Sequence, residues 1–137
     1  MFKKLLALVL GMALMGTASA ALAADKVVYH VNDSASQALS ALRNMRNQLD
    51  TAPDTSIKLV AHADGVDFLM TDYKDAAQVG PLISALAARG VAFEVCEITL
   101  KNRKLAKDAF VMEADFTPSG VVRITRLQQE GYSYIKP

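Results

Sequence analysis

The 137-residue chain has one cysteine, no tryptophan and only two histidines. A single cysteine cannot form an internal disulfide, so packing alone must hold the fold. The chain has no C-x-x-C pair, which excludes a dithiol cycle within one chain. The histidines, His30 and His62, show no H-E-x-x-H spacing and no metal-ligand pattern with Cys96, so no metal is expected. No G-x-G-x-x-G follows the first apolar run, and there is no Walker lysine loop and no G-x-S-x-G elbow. Nucleotide-dependent and serine-hydrolase chemistries therefore lose their usual frameworks. Basic residues form no block and do not interleave with aromatics, which disfavours a nucleic-acid partner.

What is present begins with an export signal. Lys3 and Lys4 form a positive region, Leu5 to Met15 is uncharged and apolar, and small residues offer cleavage after Ala20 or Ala23. The apolar run is too short for a spanning helix, which needs about 20 residues. The reading is a signal peptide over 1–23 and one periplasmic domain over 24–137, with no membrane attachment after cleavage. Losing Lys3 and Lys4 brings the 15 basic residues close to balance with the 14 acidic ones.

The remaining chain alternates strand and helix signals. Lys26 to Val31 is a β-branched, nearly continuous apolar run, as suits a strand covered on both faces. Asn32-Asp33-Ser34 supplies helix-start chemistry, with Asp33 as a cap. Ala35, Leu39, Leu42, Met45 and Leu49 then recur at helical spacing over about four turns. Ile57 to Ala61 reads as a second strand running into a His62-Ala63-Asp64-Gly65 loop, and Val66 to Met70 as one or two helical turns. Asp75 to Arg89 is a helix with Ala76, Val79, Leu82, Ile83 and Leu86 inward, kinked or started late by Gly80-Pro81 and stopped by Gly90. Val91 to Val95 is the third strand and delivers Cys96.

Beyond it, Leu100 to Leu105 reads as a short helix or turn, and a brief strand falls near Glu113 to Phe116. Val121, Ile124 and Leu127 lie on a helix ending near Gly131, and Tyr132 to Ile135 is a last strand. Met45, Met70 and Met112 are read as core filler. The fold class is α/β: a three-layer α/β/α single domain with a mostly parallel, doubly wound sheet of about five strands.

In such a sheet, chemistry gathers beyond the carboxyl ends of the strands. Asn32-Asp33-Ser34, His62 to Gly65 and Cys96-Glu97 would meet there. If strands one and three are neighbours, Cys96 faces the start of the first helix, whose partial positive charge favours thiolate. Lys101, Arg103 and Lys104 would act in the same direction, and Glu97 against it. His62 is a candidate base or anion donor beside Cys96; His30, inside a strand, reads as structural.

The stretch Gly90-Val91 through Cys96, with Thr99-Leu100 and Asn102, resembles the DsrE/DsrF-like (YchN-like) family. Val60-Ala61-His62-Ala63-Asp64-Gly65 is similar to that family's "VAHGxG" segment, with Ala63 in place of its first glycine. Pro118-Ser119-Gly120-Val121-Val122 and the ending Leu127 to Pro137 look like its C-terminal signature. The resemblance implies an α/β/α domain assembled as a homotrimer or homohexamer; no cofactor is expected. It also implies a sulfur carrier or sulfurtransferase that holds sulfane sulfur as a persulfide on Cys96, assisted by His62, in a sulfur relay. The export signal places that relay, with its protein or small-molecule donor and acceptor, in the periplasm. The rival expectations are a non-catalytic module that binds a small anion or partner protein, and a thiol redox sensor.

Overall fold

The computed structural model describes residues 22–137, so all but the last two residues of the expected signal peptide lie outside it. Five parallel strands form one sheet in the order β4-β3-β2-β1-β5: β1 Lys26–Asp33, β2 Ser56–Asp64, β3 Ala92–Cys96, β4 Ala114–Thr117 and β5 Ser133–Ile135. Four α-helices connect them: α1 Ser34–Thr51, α2 Ala76–Ala88, α3 Glu97–Arg103 and α4 Gly120–Gln129. The chain steps outward from β1 to β4, and then α4 carries it back across the sheet to pair β5 with the other side of β1.

Side-chain alternation divides the sheet between two unequal layers. Val27, Tyr29, Val31, Ile57, Leu59, Ala61, Phe93 and Val95 face the larger core with α1, α2 and Leu100 of α3. On the opposite face Val28 and Val60 meet only Ile124 and Leu127 of α4, with Tyr132 at the edge. Burying a Leu or Ile side chain fully contributes about 1.5–3 kcal/mol, so these two residues anchor α4 with a few kcal/mol. Arg123 adds a two-pronged contact, its Nε lying 3.0 and 3.1 Å from the Glu94 carboxylate oxygens. Together they fix α4 along and across β3, β2 and β1.

The α/β/α class and the parallel five-stranded sheet agree with the sequence reading, but several details differ. Strands one and three are not neighbours, because β2 lies between them. Cys96 therefore does not face α1; it faces α4. Residues 62 to 64 belong to β2, and α3 begins directly at Glu97. The α1 stripe is Ala38, Ala41, Leu42, Met45 and Leu49, whereas Ala35 is exposed. Pro81 sits inside an unbroken α2, whose buried residues are Val79, Ile83 and Leu86. Met45 fills the core as expected, but Met112 is 98% exposed. Asp33 does cap α1, accepting from the Ala35 amide at 3.2 Å.

The exit of β2 is clamped to the start of α1. Buried Ser34 donates from Oγ to the Asp64 carbonyl at 2.8 Å and accepts from the Phe68 amide at 3.0 Å. Gly65 passes so close to β1 that a Cβ there would lie 2.1 Å from the Val31 carbonyl oxygen. Backbone cannot yield as a flexible side chain can. We predict that Gly65→Ala costs on the order of 3 kcal/mol or more, measured by urea denaturation; a loss under about 0.5 kcal/mol, the scale of a neutral surface change, would contradict this packing.

Candidate functional site

Cys96 ends β3 on the α4 side of the sheet, the same side as Glu94. The chain turns at once into α3, for which Cys96 is the N-cap residue. Ser119 caps α4, accepting from the Val122 amide at 3.4 Å, and Gly120 then lies directly against the strand ends. A Cβ on residue 120 would sit 3.3 Å from both Cys96 Cβ and His62 Cβ. Glycine allows this approach, and the amino ends of α3 and α4 converge on one sulfur atom.

Their effect on the thiol is the outcome of two opposed influences. Burial raises its pKa, since Cys96 is only 5% exposed. Hydrogen bonds from the Gly120 amide, the Thr99 amide and hydroxyl, and the Ile98 amide favour the anion and outweigh burial, so the pKa is lowered overall. Thr99 itself is held in place, because its Oγ1 accepts from the Ala63 amide at 2.9 Å. The hydroxyl thus links the β2 exit to the sulfur. None of the basic trio sets this balance; Arg103 is spent elsewhere and Glu97 pairs with Lys107 at 3.5 Å.

Although nearly buried, Cys96 opens onto a cavity of about 400 Å³ lined by His62, Asn102, Arg103, Ser119 and Val121 among others. Ile98 and Val121, both more than half exposed, give its mouth an apolar rim. Arg103 closes one side, donating to the Ala63 carbonyl at 3.1 Å and to Asp67 Oδ1 at 2.7 Å. Ala63, at φ 52°, takes a left-handed conformation that glycine adopts without strain, so the substitution noted against the VAHGxG pattern falls on a strained residue. Asp33 and Ser34 do not reach this cavity; they line a neighbouring depression beyond Asp64 and Arg103.

His62 lines the cavity as expected, but it is not alone. Its Nε2 lies 2.6 Å from Nε2 of His30, whose Nδ1 lies 2.5 Å from Tyr134 Oη. Burial, then the nearby Lys136 ammonium, then His62 push the His30 pKa down to about 4. Burial and Lys136 lower that of His62 as well. Both imidazoles are neutral at pH 7. His30, read as structural, is thus joined to the site. The signal was parity: both histidines lie on the α4 face near the exits of adjacent parallel strands.

Among the described residues no group of three or more His, Cys, Asp or Glu side chains could hold a metal ion. The sequence model of the DsrE/DsrF-like family matches residues 13–137. Among solved structures, MTH1491 from Methanobacterium thermoautotrophicum, a protein of unknown function, is 32% identical, with a TM-score of 0.76 over 82% of this chain and 99% of that one. The ychN protein from E. coli is 13% identical with a TM-score of 0.70, covering 82% of this chain and 99% of its own. BT1422 from Bacteroides thetaiotaomicron is 14% identical with a TM-score of 0.59, covering 82% of this chain and 95% of its own. The last two are alike in fold. No curated protein matches the chain.

Two predictions follow from the electrostatics. Thr99→Val removes one donor to the sulfur and leaves the Ala63 amide without its acceptor. It should raise the midpoint of iodoacetamide alkylation against pH and slow alkylation at neutral pH by up to roughly tenfold; an unchanged midpoint would refute the role given to the hydroxyl. For His30, the unfolded ring titrates near its ordinary 6.5 and the folded one near 4. Between those values the unfolded chain binds more protons, so stability falls as pH drops from about 6.5 to about 4 and levels off below. Urea midpoints measured across that range should show this decline in the wild type and a shallower one in His30→Gln.

Proposed function

The chain belongs to the DsrE/DsrF-like family, a family associated with sulfur relay, and from that premise we propose that it carries sulfane sulfur as a persulfide on Cys96. The observation that supports this is a nearly buried thiol, its pKa lowered by the neighbouring Gly120, Thr99 and Ile98 amides and the Thr99 hydroxyl, that borders a cavity open to solvent. The Cys96 thiolate attacks the outer sulfur of a donor R–S–SH, forming the Cys96 S–S bond while the donor's own S–S bond breaks and its electron pair leaves on RS⁻. The proton lost by Cys96 is matched by the one RS⁻ takes up. Sulfur changes hands without an external oxidant or reductant. Delivery reverses the sequence towards an acceptor thiol.

The persulfide's charge lies on its outer sulfur, one atom further into the cavity, and the nearly buried position of Cys96 keeps the new S–S bond from bulk solvent. The positive and apolar segments at the N-terminus support export to the periplasm, where donor and acceptor would be encountered. Exposed Val121 and Val122 support a homotrimer or homohexamer packed through the outer side of α4.

Incubation with polysulfide followed by intact mass measurement tests the reading. We expect wild type to gain one sulfur, removable by dithiothreitol, and Cys96→Ser to gain none. A wild-type protein that takes up no sulfur, while its thiol alkylates slowly, would favour a non-catalytic binding module. Mixed disulfides without sulfane adducts would favour a redox sensor.

A further inference from the structure

Tyr134, His30 and His62 make one continuous line from β5 through β1 to β2, on the face of the sheet that α4 crosses. The imidazole centroids of His30 and His62 are 4.8 Å apart and their planes differ by 20°. With 2.6 Å between the two Nε2 atoms, that separation means rings lying end to end, not face to face. The hydrogen bond runs along their common plane. Only one hydrogen fits between the nitrogens, so one ring donates while the other accepts. His62 Nε2 being engaged, Nδ1 is the ring nitrogen left to act, and His62 borders the Cys96 cavity. At the other end Tyr134 is 42% exposed.

We propose that Tyr134, His30 and His62 form a proton relay joining solvent to the Cys96 cavity, with His62 as its inner terminus and His30 and Tyr134 as positioning residues. The inference rests on the sulfur-transfer reading for its purpose, though not for its geometry. In one state Tyr134 donates O–H to His30 Nδ1, His30 donates Nε2–H to His62 Nε2, and His62 carries its proton on Nδ1. When RS⁻ departs, His62 Nδ1–H protonates it, His30 passes its proton to His62 Nε2, and Tyr134 passes its own to His30 Nδ1. Tyr134 recovers a proton from water. Both rings begin and end neutral and have exchanged tautomers, so no charge is left beside the cavity. Uptake of the Cys96 proton runs the line backwards.

The surrounding charges suit a neutral line. Lys136 is the cation that faces both imidazoles, and its Nζ is held by Asn32 Oδ1 and by Gln37 Oε1 at 3.2 Å. Asp33 lies near enough to act on Lys136. A permanent cation there disfavours an imidazolium and leaves tautomer exchange as the low-energy way to move a proton. Among the described residues no hydrogen bond joins His62 directly to Cys96, so the handover occurs through the reacting group in the cavity.

Nitrogen-15 imidazole NMR and single-turnover sulfur transfer test this together. Wild type should show His30 and His62 in opposite neutral tautomers, with a scalar coupling between the two Nε2 atoms across the shared hydrogen. Tyr134→Phe, at an exposed position, should leave the fold intact but release the tautomer preference and slow transfer from an organic persulfide at neutral pH by about tenfold or more. His30→Gln should slow it similarly and reduce the solvent deuterium isotope effect. Independent tautomer mixtures without coupling in wild type would overturn the relay, as would Tyr134→Phe transferring at the wild-type rate and isotope effect. If wild type accepts no sulfur at all, the transfer reading fails instead, and the tautomer and coupling data alone decide whether the line exists.

Discussion

The amino end of α4 lies against the exits of β2 and β3, and the chemistry depends on how closely it does so. A side chain at residue 120 would press on Cys96 and His62 at once; its absence brings a backbone N–H to the sulfur. That approach is held from a distance. Ile124 and Leu127 bury themselves on Val28 and Val60, and Arg123 grips Glu94 from the next turn. A helix anchored only by its far half would leave its first turn free to lift. The ion pair near the amino end opposes that motion.

Burial and reactivity usually conflict for cysteine, because desolvation favours the neutral thiol. Here the same elements that exclude water supply donors in its place. The amides of Gly120, Thr99 and Ile98 are fixed by helix geometry and need no reorganisation when charge develops, which is the condition under which such donors are most effective. Thr99 adds a donor oriented by Ala63, so the strained turn at the β2 exit contributes to the sulfur's environment.

Much of the architecture was legible in the sequence. Continuous β-branched runs identified buried parallel strands, and Asp33 and Gly90 marked helix limits by their local chemistry. The strand order was not legible, because nothing in a local pattern says on which side of β1 the last crossover returns. That return brings Gly120 onto Cys96 and displaces α1 from the place expected for it. α3 was read too late because Glu97-Ile98-Thr99 carries β-branched residues that look like more strand. Met112 was misread because an apolar side chain in the sequence does not show whether another element covers it. His30 was legible as a strand residue, but its link to His62 depends on the register between β1 and β2, which a single sequence does not state.

For Cys96, nearly buried as it is, the surrounding amides outweigh desolvation and lower the thiol's pKa. Ultraviolet titration of thiolate absorbance, with Cys96→Ser as the blank to remove the tyrosines, measures this directly in the native protein. Thiolate absorbance should rise in the native protein with a midpoint below that of the same thiol in the urea-unfolded chain. A midpoint above that value would mean that desolvation prevails over the amides and that Cys96 is a buried, inert residue.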